Sequence, residues 1–262
     1  MSAGRGGAVA AACAVLVVAV GCGGKDKPAP TDQRVVMWVD SDLGAVLRDV
    51  RIDGAQLAVT TGSTAGLLEK LDGGAQRPDV LLVQSDTFPS WDESADGLRD
   101  SRVVARDPLV LVTRKPQEAP ATLAAAAGDP LAYPREGVAG LAVKHALDAL
   151  PEPPEKEVEL PLATDVLAAL RDRSADVGVL PRSVLQRADD ADQFDSNELL
   201  EPGIDIQTAY SSKAPDGKRV VAWLASDEGR QRFVVAGYGP PGSNPRPVDC
   251  PADESAPCEG RG

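Results

Sequence analysis

One histidine, four cysteines and three tryptophans are few for a chain of 262 residues, and each scarcity removes a class of function. His145 stands alone between Lys144 and Ala146, a surface or half-buried position with no second imidazole to help it. No Gly-x-Ser-x-Gly turn occurs, so a serine hydrolase would lack its nucleophile elbow. Trp38, Trp91 and Trp223 are too scattered to form a stacking platform. Basic runs are absent and the formal net charge is −13, which argues against nucleic acid as a partner. The longest apolar run, Ala8–Val20, holds 13 residues, too few to cross a bilayer as a helix. Neither an internal repeat nor a heptad run is present. These absences leave a non-enzymatic binding protein without a cofactor as the expected class.

What is present begins with an export signal. Arg5 precedes the apolar run, and Ala19-Val20-Gly21-Cys22 follows it. That order resembles a lipoprotein signal peptide, residues 1–21, ending at an acylated Cys22. An ordinary signal peptide with an incidental cysteine is the alternative. Removing residues 1–21, which hold Arg5 and no acid, takes the net charge from −13 to −14. Residues 22–33 are polar and aperiodic, the composition of a flexible tether. Cys250 and Cys258 lie in a Pro/Gly-rich tail, 246–262, and are expected to pair as a disulfide in an oxidising compartment. Two thiols without a nearby histidine do not complete a metal site. The expected location is therefore the cell envelope, on a membrane, facing the periplasm or the exterior.

Between tether and tail, apolar periodicity alternates between two kinds of element. Val35–Val39, Leu57–Thr61, Asp79–Val83, Leu109–Thr113, Glu157–Leu162, Val177–Leu180 and Asp205–Tyr210 read as strands. The continuous apolar runs suit a parallel sheet covered on both faces. Leu43, Val46, Leu47 and Val50 keep the helical period, as do Leu67, Leu68 and Leu71. Val138–Leu150 predicts a helix with Leu141, Ala142, Ala146 and Leu147 along its inner side, stopped by Pro151. Val166–Arg171 predicts another. Two more close the fold, one carrying Val220, Val221, Trp223 and Leu224 and one capped by Ser226 and ending near Gly237. Alternating strands and helices predict an α/β fold.

The chemistry is concentrated at strand-to-helix turns. Asp40-Ser41-Asp42-Leu43, Thr61-Gly62-Ser63-Thr64 and Ala163-Thr164-Asp165-Val166 each put small polar residues where a helix begins. A helix start offers unpaired N–H groups and the positive end of its dipole, to which a hydroxyl adds a donor. Several such starts meeting in one cleft would hold an oxyanion in a protein that is acidic overall. Taken singly, each of these residues is as well explained as a cap. Asp189-Asp190-Ala191-Asp192 is acidic but reads as a solvated loop.

From about Val35 to Pro241 the chain resembles the substrate-binding proteins of molybdate-type ABC transporters, which have the type II periplasmic binding protein fold. Val36-Met-Trp-Val-Asp-Ser41 is similar to that family's first strand with its ligand-binding serine, and Thr61-Gly62-Ser63-Thr64-Ala65-Gly66-Leu67 to its second serine turn. Arg77-Pro78-Asp79-Val80, Asp107-Pro108 with the strand to Thr113, Gly128-Asp129-Pro130 and Ala175-Asp176-Val177-Gly178-Val179-Leu180 keep the family's order. Ala225-Ser226-Asp227-Glu228 and Gly237-Tyr238-Gly239 resemble its closing helices.

The resemblance implies two α/β lobes joined by two crossing strands, with lobe one at 34–107 plus 208–245 and lobe two at 108–207. It implies ligand contacts from Ser41 and Ser63 in lobe one. From lobe two it implies the backbone near Tyr133 to Arg135 and the helix start at Asp165-Val166. The implied ligand is a small molybdate- or tungstate-like anion, the implied partner an ABC permease, and the expected state a monomer. Two departures bear on this. Pro181 stands where the family carries a ligand-binding tyrosine, and it has neither hydroxyl nor N–H to give. Asp40, Asp42 and Asp165 would repel a dianion by about 1–4 kcal/mol at ~4 Å if they lined the cleft. They leave two further readings open. One is a regulatory surface lipoprotein without transport; the other is transport of a metal cation or small organic acid through Asp40, Asp42 and Tyr133.

Overall fold

The alternation of strand and helix is present in the computed structural model, which describes residues 33–52, 55–74, 76–85 and 97–241. The leader, Cys22, most of the tether, Trp91 and the Cys250–Cys258 tail lie outside those residues. In chain order the strands are β1 (Gln33–Asp40), β2 (Ala55–Gly62), β3 (Val80–Ser85), β4 (Leu98–Arg114), β5 (Pro130–Pro134), β6 (Lys156–Leu160), β7 (Val177–Pro181) and β8 (Phe194–Ser211). The helices are α1 (Thr64–Asp72), α2 (Gly137–Asp148), α3 (Ala163–Asp172), α4 (Arg182–Gln186), α5 (Pro215–Leu224) and α6 (Asp227–Val235). Among the described residues no helix is long and apolar enough to cross a membrane.

The described strands form one sheet in the order β2-β1-β3-β8-β4-β7-β5-β6. β1 is parallel to β2 and β3, and β5 is parallel to β6 and β7. β4 and β8, antiparallel and 17 and 18 residues long, join the two groups. The later half of β8 pairs with β3 through Asp205–Tyr210, whereas the later half of β4 pairs with β7 through Leu109–Thr113. The β4–β8 register shifts between Pro108 and Val110, at the crossing point. These are the two crossing strands of a type II binding-protein fold, with an α/β lobe on either side.

Each parallel group is covered on both faces, which is why its strands read as continuous apolar runs. In the first group, Val35, Met37, Val39, Val80 and Leu82 pack with Val220, Val221, Leu224 and Phe233 of α5 and α6. Trp38, Leu81 and Val83 face the other way, onto Leu67 and Leu71 of α1. In the second group, Leu131, Val177 and Val179 pack on Ala142, Val143, Ala146 and Leu147 of α2. Ala132 and Leu180 face Val166, Leu167 and Leu170 of α3. Gly178 permits that last contact, since a Cβ there would lie 2.7 Å from Val166 Cγ1.

Two local expectations are corrected. The segment with Leu43, Val46 and Leu47 buries those residues as its period requires, yet it is a 3-10 turn, Ser41–Leu43, followed by turns. Its bonds run from i+3 to i, as from Gly44 N–H to Ser41 O and Val46 N–H to Leu43 O. Asp49 ends it at a φ of 59°, so no α-helical register propagates. In α2 the buried stripe is Gly140, Ala142, Val143, Ala146 and Leu147, and Leu141 is 52% exposed.

At the crossing point Asp107, only 1% exposed, accepts the Ser183 N–H at 3.0 Å and the Ser183 hydroxyl at 2.5 Å. Burial pushes its carboxyl up to about 6, against the opposing pull of the Ser183 bonds and of Arg187 and Arg182. The folded state thus prefers this acid protonated. Its stabilising contribution is whole below about pH 4 and is lost as pH rises through about 6, a loss of roughly 3 kcal/mol. Denaturant unfolding of the wild type and Asp107→Asn, compared at pH 4.5 and 7.5, should show the wild type losing roughly 2 kcal/mol relative to the variant, because the unfolded acid is already mostly ionised at pH 4.5. A difference that does not change with pH would contradict this account of Asp107.

Candidate functional site

The parallel strands β1, β2, β3, β5 and β6 end at the same place in the fold, where ligands of open α/β sheets bind. Asp40 closes β1, and its carboxylate, 5% exposed, ties two turns together. Oδ1 accepts the Asp42 N–H at 2.9 Å, and Oδ2 accepts the Thr64 N–H at 2.8 Å and the Thr64 hydroxyl at 2.6 Å. Asp40 is therefore an inward-facing cap, and its charge is spread over three donors. Thr64 Oγ1 in turn accepts the Gln84 N–H at 3.2 Å, which adds the end of β3 to the same cluster.

On this frame Ser41 is the first residue of the 3-10 turn, exposed, and Ser63 is the N-cap of α1. Ser63 Oγ accepts the Gly66 N–H at 3.2 Å, which leaves its hydroxyl proton free to donate outward. On the facing side, α2 begins after Glu136, whose side chain makes no capping bond. Gly140 lets this helix start tight against the preceding strand, because a Cβ would lie 2.3 Å from the Arg135 carbonyl oxygen.

Ser41, Ser63 and Arg135 line one cavity of about 600 Å³, together with Asp40, Asp42, Thr64, Gln84 and Ser85. The Arg135 guanidinium is paired with Glu136 at 3.2 Å and is largely exposed. An adjoining cavity of about 420 Å³ shares Asp42 and is lined by Leu162, Ala163 and Thr164 at the start of α3, with Arg171 and Arg187. Arg187 Nη1 donates to the Asp42 carbonyl at 3.0 Å, and Tyr238 donates to the same oxygen at 3.1 Å. The Asp42 carboxyl is raised above its ordinary value, mainly by burial and then by Asp40, with Arg187 opposing.

The remaining residues singled out from the sequence lie elsewhere. The Val166 side chain is fully buried in the layer against β7. Asp165 accepts the Leu162 N–H at 3.1 Å, as the N-terminal acid of α3. Neither lines the cavity that holds Ser41 and Ser63. Tyr133, 6% exposed, directs its hydroxyl to Glu157 and to Glu159 at 3.1 Å, and its ionisation is pushed up by burial and by those two carboxylates. The Arg135 N–H is held by Leu160 O at 2.7 Å. Pro181 is buried at the end of β7, before α4. Gln84 and Ser85 were not singled out, because a strand reading ending at Val83 stops one residue short of them. In Asp189–Asp192, Asp190 is bound to both Nε and Nη2 of Arg171. Among the described residues no group of three or more His, Cys, Asp or Glu could hold a metal ion.

Residues 51–239 match the family model described as bacterial extracellular solute-binding protein. The chain belongs to that family. This solute-binding protein is similar in fold to the substrate-binding domain of a putative molybdenum ABC transporter from Clostridium difficile. The TM-score is 0.66 at 16% identity, covering 80% of this chain and 99% of that one. It is likewise similar to the periplasmic molybdate-binding protein of Azotobacter vinelandii, with a TM-score of 0.55, 17% identity, and 79% and 100% covered. A third likeness is to the BenM effector-binding domain with its effector benzoate, with a TM-score of 0.55, 12% identity, and 78% and 94% covered. No curated protein matches the chain.

Proposed function

We propose that this solute-binding protein captures a small oxyanion between its two lobes and presents it to an ABC permease. The observation that carries the reading is the convergence of Ser41, Ser63 and Arg135 on one cavity, beside the uncapped start of α2. Hydroxyl and backbone donors at helix starts bind oxyanions without needing a cationic protein. The Asp40 cap supports it further, since both oxygens of that cavity-lining carboxylate already accept bonds from protein donors. The likeness to a molybdate-binding protein and to a domain of a putative molybdenum transporter favours a tetrahedral oxyanion. The mechanism is lobe closure about β4 and β8, with ligand stabilising the closed state through its greater affinity for it. No covalent step is needed.

The lobes would comprise 34–107 plus 208–245 and 108–207, and the protein would act as a monomer held to the membrane through acylated Cys22. Acyl mass on the intact membrane-extracted protein tests the anchor. The ligand reading is tested by a thermal-shift panel of molybdate, tungstate, sulfate and phosphate. At a thousandfold excess over Kd a ligand adds about 4 kcal/mol of stability, a rise on the order of 10 °C. No rise with any oxyanion would overturn the reading. Pro181 and the likeness to an effector-binding domain support a second reading, in which the same cleft senses its ligand without delivering it. Transport-deficient cells that still respond to the ligand through this protein would favour that one.

A further inference from the structure

The walls of the Ser41–Ser63 cavity are apolar as well as polar. Ala65 and Leu68 stand one turn apart on α1, and Val138 and Leu141 one turn apart on α2, and all four line this cavity with Val83. Each pair belongs to the helix whose start supplies the polar end of the site. Leu141 is 52% exposed although its neighbours Ala142 and Val143 are buried, so a large apolar side chain is turned to the cleft and away from the core. Gln84 and Ser85, each 8% exposed, line the same cavity. Among the described residues neither side chain has a hydrogen-bond partner, so their polar atoms are left to the cavity. A cavity of about 600 Å³ has the size and the mixed lining of a small-molecule pocket.

We infer that the bound oxyanion is the head group of an organic molecule with a short apolar body. The head lies at Ser41, Ser63 and the start of α2. The body lies between Leu68 of α1 and Val138 and Leu141 of α2, and Gln84 and Ser85 hydrogen-bond a polar atom of the ligand. This rests on the reading of the cleft as an anion site and narrows its ligand to an organic phosphonate, phosphate or carboxylate.

The test is calorimetric titration of the purified chain with inorganic phosphate, with methyl-, propyl- and pentylphosphonate, and with the matching alkyl carboxylates. In at least one series affinity should rise roughly three- to fourfold for each added methylene. Leu141→Gln, at an exposed position where folding is not at stake, should weaken the alkyl ligands more than inorganic phosphate and so reduce that increment. Binding of inorganic phosphate with affinity flat or falling along both series would overturn the organic body while sparing the anion site. Equal weakening of every ligand by Leu141→Gln would assign the apolar pairs to lobe closure and overturn it too. Absence of binding by every compound would refute the anion reading itself.

Discussion

Replacing Ser41 and Ser63 together by alanine is expected to weaken oxyanion binding by roughly a hundredfold to ten-thousandfold. A hydroxyl donating to a charged ligand is worth about 1.5–3 kcal/mol, and two are lost, or about 3–6 kcal/mol in affinity. The two changes differ in their effect on the unliganded protein. The Ser41 side chain is exposed and makes no hydrogen bond among the described residues, so Ser41→Ala should leave stability unaltered. Ser63 caps α1 through the Gly66 N–H, so Ser63→Ala should cost about 1 kcal/mol of stability beyond its effect on binding. Calorimetry measures the affinity and denaturant unfolding the stability. Unchanged affinity in the double variant would place the ligand elsewhere.

The second large effect is expected at Asp40, which never needs to touch the ligand. Asp40→Ala strips partners from the Asp42 N–H, the Thr64 N–H and the buried Thr64 hydroxyl at once. Leaving buried donors unsatisfied costs about 1–3 kcal/mol each where water cannot reach them, so about 3–5 kcal/mol in total is expected. For a domain of this size that lowers Tm by on the order of 10 °C. Because this carboxylate holds the Ser41 turn to the Ser63 turn, affinity should fall with stability even though both serines remain. Asp40→Asn keeps one acceptor oxygen and should recover part of each loss. A melting temperature for Asp40→Ala equal to that of the wild type would show that the turns are held by something else.

The turn positions of Ser41 and Ser63 were legible in the sequence because each follows an apolar strand and opens the next segment, a local pattern that needs no knowledge of the partner lobe. The reach of the crossing strands was less legible. Leu109–Thr113 is continuously apolar, but β4 begins at Leu98 and its first half, Leu98–Asp107, is rich in charge. That half pairs with β8 in an antiparallel ladder with several half-exposed positions, so no apolar run marks it. Leu141 misled for the opposite reason. Beside Ala142 it fits an inward stripe, but α2 turns its buried face through Val143 and Leu147, which leaves Leu141 on the cleft. The orientation of Asp40 could not be read at all. An aspartate before a serine turn either caps inward or faces the cleft, and only the position of Thr64, 24 residues away, decides between them. Gln84 and Ser85 become visible only once β3 is known to end beside β1.

The central claim is that one ligand bridges two lobes, held by serines on one and by a helix start on the other. It is tested most directly by the distance between spin labels on exposed Glu69 of α1 and exposed Lys144 of α2, introduced as unnatural residues and measured by pulsed dipolar spectroscopy. The distance should shorten and its distribution narrow when the chain is saturated with the oxyanion that gives the largest thermal shift, and should not respond in the Ser41→Ala/Ser63→Ala variant. A distance that stays the same while the wild type binds that oxyanion would contradict the account.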